Sequence, residues 1–103
     1  MAINDLTDKI IQWHTDRKIT INGTSEAQLL KLMEEFGELT AAVVREDKHL
    51  IVDSLGDMYV VMVAIAELEG TTMEQCIEFA YDEIKDRRGH LNEYGIFIKD
   101  EEK

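Results

Sequence analysis

The chain has no proline, and its six glycines are scattered. Without helix-breaking rings or clustered turn residues, long helices with short connections are favoured over an all-β sandwich. A lone cysteine, Cys76, excludes an internal disulfide and suits a reducing compartment. Basic residues are also scarce, 11 against 22 acidic ones, for a formal charge of −11. That balance repels a nucleic-acid backbone, whose binding needs clustered Lys and Arg. A phosphate-bearing small molecule remains admissible, since a bound divalent cation inverts the local field. The N-terminal stretch MAINDLTDKII lacks the basic and apolar regions of a signal peptide. The run Met58 to Ala66 falls short of the ~20 apolar residues that span a bilayer. A soluble, cytoplasmic protein without a membrane partner is expected.

What is present is apolar. Hydrophobic residues make up 45% of 103 positions, enough for one folded domain over 1–103 and too many for a disordered acidic tail. Four helical segments are expected. The first covers about Asn4 to Arg17, with Ile3, Leu6, Ile10 and Trp13 as a core stripe. Asn22-Gly23 marks a turn, and Thr24 or Ser25 caps a second helix running to about Asp47 on a stripe of Leu29, Leu32, Phe36, Leu39 and Val43. The third is expected from about His49 to Glu69, with Gly70 as its C′ residue. A fourth, capped by Thr71 or Thr72, carries Met73, Cys76, Ile77, Ala80 and Ile84 and is expected to stop at Gly89. This places Lys85, Arg87 and Arg88 in its last turn, where the helix dipole favours cations. The segment Tyr94 to Lys99 reads as extended and packed on the bundle, ahead of a frayed 101–103.

Two hexamers on the second and third helices share a pattern: Glu34-Glu35-Phe36-Gly37-Glu38-Leu39 and Asp53-Ser54-Leu55-Gly56-Asp57-Met58. At ~100° per residue, the acids of each fall within one arc of about 100°. Each hexamer also holds a glycine before its last acid, which costs about 0.8–1 kcal/mol in a helix and suggests room for a neighbouring backbone or ligand. On the second helix the acids lie opposite the Leu29/Phe36/Val43 stripe, near Lys31 and Arg45, and taken alone read as a solvated face. The third helix is apolar nearly all round, so Asp53 and Asp57 are costly unless paired or coordinated. Carboxylates sharing such a site suit Mg²⁺, which takes oxygen ligands and bridges to phosphates. No Cys/His set with zinc spacing competes, and neither an EF-hand nor a P-loop is present.

These residues resemble the MazG-like all-α nucleoside triphosphate pyrophosphohydrolases. The resemblance rests on Lys31-Leu32-Met33-Glu34-Glu35-Phe36-Gly37-Glu38-Leu39 followed by Asp53-Ser54-Leu55-Gly56-Asp57-Met58-Tyr59-Val60-Val61, similar to the family's EExxE…ExxD signature. The closing Arg88-Gly89…Gly95-Ile96-Phe97-Ile98-Lys99 looks like the tail of short MazG-like proteins, many of them phage-borne. The resemblance implies an all-α, four-helix-bundle-like protomer assembled as a homodimer or homotetramer. It implies Mg²⁺, with Mn²⁺ as a substitute, and hydrolysis of a (d)NTP to (d)NMP and pyrophosphate. Glu35, Glu38 and Asp57 match metal-binding acids. Ser54 stands where the family usually has glutamate, and Asp53, one residue earlier, is placed to supply that carboxylate. Glu34 or Glu38 is the expected proton acceptor. Lys85, Arg88 and Lys99 are candidates for phosphate oxygens, and Trp13 for stacking on a base, although Trp13 and Ile10 share the expected core stripe. The alternative is a non-catalytic, degenerate module that binds a nucleotide or a partner.

Overall fold

A computed structural model describes residues 1–100. Five helices, α1 (Ile3–Asp16), α2 (Ile19–Asn22), α3 (Ser25–Val44), α4 (Lys48–Leu68) and α5 (Met73–Ile84), precede two short strands, β1 (Gly89–Leu91) and β2 (Phe97–Lys99). The chain divides into two compact units, Met1–Met73 and Glu74–Lys103. The expected frayed end, 101–103, lies outside the described residues.

In the first unit the helix ends follow local chemistry. Thr24 accepts the Ala27 amide at 3.1 Å and Asp47 accepts the Leu50 amide at 3.2 Å, so each N-terminus has one of its orphan donors satisfied. At the end of α4, Gly70 takes φ +76° while its amide donates to Glu67 and that of Thr71 donates to Ala66. This is the Schellman arrangement that Gly70 foretold. The end of α3 repeats it with Glu46 at φ +55°, as the amides of Glu46 and Asp47 donate to Val43 and Ala42. The three residues Arg45 to Asp47 therefore fold α4 back along α3, and these two helices form the most extensive pairing in the unit. Instead of a plain turn, Lys18 at φ 61° starts the one-turn helix α2.

Helix α4 is central, touching α1, α2 and α3. Its buried residues are Ser54, Val61, Val63, Ala64 and Ala66. By length and composition alone this 21-residue helix is long and apolar enough to cross a membrane, more than the Met58 to Ala66 run suggested. Two hydrogen bonds lock α1 onto it. The hydroxyls of Thr7 and Tyr59 lie 2.8 Å apart, and His14 Nε2 donates to the Val60 carbonyl at 2.8 Å. Because a carbonyl only accepts, that bond places a proton on Nε2 of His14.

Two expected core stripes are displaced. On α1 the inward face is Thr7, Ile10, Ile11 and His14, whereas Ile3, Leu6 and Trp13 are exposed. On α3 the inward face is Leu32, Glu35, Leu39 and Ala42, while Leu29, Phe36 and Val43 stand in solvent. Helix α3 carries two apolar arcs, and the one with smaller and more mixed residues packs against α4.

The second unit also departs from expectation. Helix α5 ends at Ile84, five residues before Gly89, so Lys85, Arg87 and Arg88 follow it and no base occupies its last turn. Cys76, expected in helix packing, is exposed. The tail forms an antiparallel hairpin in which His90 faces Ile98. Asn92 shapes the turn by accepting the amides of Tyr94 and Ile96. At Gly89 an added Cβ would meet the Ile98 carbonyl oxygen at 2.1 Å, so only glycine admits the second strand this closely.

Candidate metal centre and its flanking cavities

The acids of α3 and α4 meet across the helix pair. One oxygen from each of Glu35, Glu38 and Asp57 lies within 4.8 Å of the others. Glu35 is only 6% exposed, contrary to the solvated face expected of α3. Its neighbours on the same helix face, Leu32, Leu39 and Ala42, carry it inward against α4. Lys31 lies 3.5 Å from Glu35 Oε1 and 3.7 Å from Glu34. Glu35 Oε2 is buried with no hydrogen-bond partner.

A buried, unpaired carboxylate oxygen is expensive. Burial, followed by the charges of Asp53 and Glu35, raises the Asp57 pKa above its ordinary range, while Lys31 opposes the shift. Glu34 first, then Glu35, raises the Lys31 pKa. The set is all oxygen, densely negative and short of one positive partner, which fits a hard divalent cation.

Asp53 does not join these three. It is exposed, although one helical turn from Asp57 and close enough for its charge to act there. The expectation that an apolar α4 buries it fails because Val52 and Leu55, its neighbours, are exposed as well. Instead Asp53 lines a recess of about 160 Å³ with Glu38, Ala41, Ala42, Arg45, Leu50 and the buried Ser54. Glu34 is exposed beside Lys31. The two helix glycines leave open space, since a Cβ at Gly37 or Gly56 would meet no atom of the described residues within 4 Å beyond its chain neighbours and its own helix backbone. No neighbouring backbone among the described residues explains them.

A second cavity, about 450 Å³, is lined by Leu6, Lys9, Ile10, Trp13, Asp57 and Val60. Trp13 is 44% exposed, a cavity wall where the α1 stripe had predicted core. The Arg17 guanidinium stacks on it, 4.2 Å from the ring centroid. Asp57 thus belongs both to the acid cluster and to an apolar cavity, and Glu38 to both the cluster and the smaller recess. Lys85, Arg88 and Lys99 belong to the second unit, where Lys85 pairs with Asp82 at 3.3 Å.

Arg45 and Lys9 were not singled out from the sequence as site residues. Arg45 was noticed only as a neighbour of the acids, and nothing local marks it as lining a recess with Glu38. Lys9 had one available signal, its position one turn from both Leu6 and Trp13 on the same face of α1.

The sequence profile of the MazG nucleotide pyrophosphohydrolase domain matches residues 23–92. An uncharacterized 18.2 kDa protein from the rep-hol intergenic region of Haemophilus phage HP1 (strain HP1c1) is 43% identical over 65 residues, 63% of this chain and 40% of that protein. The match therefore spans less than half of the phage protein. No solved structure matches the chain.

Proposed function

We propose, for a chain that belongs to the MazG nucleotide pyrophosphohydrolase family, a Mg²⁺-dependent hydrolysis of nucleoside triphosphates to nucleoside monophosphates and pyrophosphate. The observation that carries this reading is the convergence of Glu35, Glu38 and Asp57 within 4.8 Å, with one buried Glu35 oxygen lacking a partner. These three side chains would hold the cation, and Mn²⁺, which accepts the same oxygen donors, would substitute. When bound, a divalent cation here offsets triphosphate charge and supports attack of water on the α-phosphorus.

The chain's own residues supply the remaining chemistry. Glu34, outside the three-carboxylate set, takes the proton of the attacking water, with Glu38 as the alternative base. The new bond joins the water oxygen to the α-phosphorus; the bond from that phosphorus to the bridging oxygen breaks, and pyrophosphate departs. Arg45 in the recess and Lys31 beside Glu34 are suited to phosphate oxygens. Trp13, walling the cavity that reaches Asp57, is suited to the base.

A homodimer or homotetramer is part of the same reading. Leu29, Met33, Phe36 and Val43 follow one another at spacings of four, three and seven along α3, and all four are exposed. That is a coiled-coil-like seam awaiting a partner helix. A cytoplasmic location accords with the single free cysteine.

Pyrophosphate release from a panel of (d)NTPs, with Mg²⁺, with Mn²⁺ and with neither, tests the proposal. Release that requires a divalent cation and is lost in Glu38→Gln is the expected result. No release from any substrate at high protein concentration would leave the non-catalytic binding module as the better account.

A further inference from the structure

Trp13 is held from its own helix. Arg17, one turn later at the C-terminal end of α1, places its guanidinium carbon 4.2 Å from the centre of the Trp13 ring. The same guanidinium donates from Nη1 to the Trp13 carbonyl at 3.2 Å. Both contacts fall on one residue, so the cation is tied to the backbone that carries the ring it covers. The His14 ring stands nearly perpendicular to the indole, at 79° with centroids 5.3 Å apart. His14 is itself buried and bonded to the Val60 carbonyl at 2.8 Å. An indole on a residue 44% exposed is thereby fixed by a cation on its face and by a ring anchored to α4.

The cavity beside it, about 450 Å³, lies within the ~300–1,000 Å³ of small-molecule sites. Leu6, Ile10 and Val60 give it apolar walls next to Trp13. Arg17 covers Trp13 yet is not among the lining residues. The indole surface that walls the cavity is therefore one the guanidinium leaves free. Every nucleobase has a π-face that can stack there. An indole already held in place loses less side-chain freedom when a ring binds, which strengthens the contact.

We propose that Arg17 is a positioning residue: it clamps Trp13 in the orientation that walls the cavity, and the planar ring of a nucleobase stacks on the indole surface left free. The inference rests on the nucleotide reading above and adds the residue that prepares its aromatic contact. Arg17 belongs to neither the acid cluster nor the cavity lining, so it acts through Trp13. A guanidinium at a helix C-terminus also complements the helix dipole. That role alone leaves indole motion and ring binding unchanged, which sets the two apart. A cation over an exposed indole shifts an equilibrium by about two- to fivefold.

The chain's single tryptophan makes the clamp directly observable. Trp13 emission anisotropy is recorded without ligand for the native protein, Arg17→Met and Arg17→Lys. The emission is then titrated with each of the four deoxynucleoside monophosphates in the presence of Mg²⁺. Deoxyribose 5-phosphate, which has the sugar phosphate and no base, is measured as a competitor. In Arg17→Met the indole should move faster, and the midpoint of each nucleotide that alters emission should rise about two- to fivefold. Deoxyribose 5-phosphate should bind this variant as it binds the native protein, and Arg17→Lys, which keeps a cation over the ring, should recover native behaviour. Unchanged indole motion and midpoints in Arg17→Met would overturn the proposal. So would equal weakening of the nucleotides and deoxyribose 5-phosphate, or native emission unaffected by any nucleotide. Pyrophosphate release on the same samples separates the two readings. Release without an Arg17 effect rejects the clamp alone, and an Arg17-dependent response without release rejects hydrolysis alone.

Discussion

Asp57 is the residue through which charge, packing and chemistry meet. Burial and the neighbouring carboxylates raise its pKa, so the folded chain holds a proton that the unfolded chain has released. Folding stability from this group is therefore present at acid pH. It is lost as pH rises from the ordinary carboxylate value of about 3.9 through the raised folded value. Asp57→Asn removes that dependence. In metal-free buffer at neutral pH the variant should melt above the native protein, and its rise in Tm on adding Mg²⁺ should vanish. Melting curves across acid to neutral pH, with and without Mg²⁺, read both effects. A lower metal-free Tm together with an intact Mg²⁺ response would show that Asp57 is an ordinary structural carboxylate. The acids themselves were legible in the sequence because two similar hexamers stand on consecutive helices. The burial of Glu35 was not, because the arc marked by Leu29, Phe36 and Val43 points away from it, while the arc of Leu32, Leu39 and Ala42 that packs inward carries a weaker apolar signal.

At the scale of elements, the start of α3 and the end of α4 were readable because the residues that set them act locally, while α2 and the end of α3 were not. Thr24 and Gly70 satisfy or terminate backbone hydrogen bonds within a few positions of themselves, whereas Asp47, expected as the end of α3, instead caps α4. The end of α5 was misread because Lys85, Arg87 and Arg88 are good helix formers and no glycine precedes Gly89 as a stop signal, and the pairing of Gly89 with Lys99 takes the chain elsewhere. Gly56 gives a test at this scale. Its open surroundings mean that Gly56→Ala should stabilise α4 by about 0.8–1 kcal/mol in chemical denaturation. If turnover falls as stability rises, the gap serves a ligand or a second chain. If stability itself falls, the open space is filled by something the single chain does not contain.

At the scale of the whole molecule, the exposed seam on α3 carries the weight. Phe36 is 58% exposed and Leu29 52%, although both stand on the arc that periodicity marks as core. A second chain covering this seam would reconcile the apolar pattern with the exposure, since isolated large apolar residues are common on surfaces but a continuous helical row is not. Light scattering should give a mass of two or more chains for the native protein, and Phe36→Glu should shift it toward one. A native mass of one chain, unchanged by concentration, would remove the seam from the account.

By itself the sequence determined the all-helical class, the N-cap of α3 at Thr24, the end of α4 at Gly70, and the identity of the acids on α3 and α4, whose motifs carry the family resemblance. The helix ends follow from local hydrogen bonding and the acid motifs from spacing along each helix, while the family rests on resemblance to a known motif set. Only tertiary structure decided which arc of α3 faces inward, that Asp53 stands apart from Glu35, Glu38 and Asp57, and that Trp13 and Lys9 line a cavity together with Asp57. Helix α4 is apolar on nearly every side, so its periodicity cannot orient its neighbours. Their placement is set by how side chains from α1 and α3 fit against it.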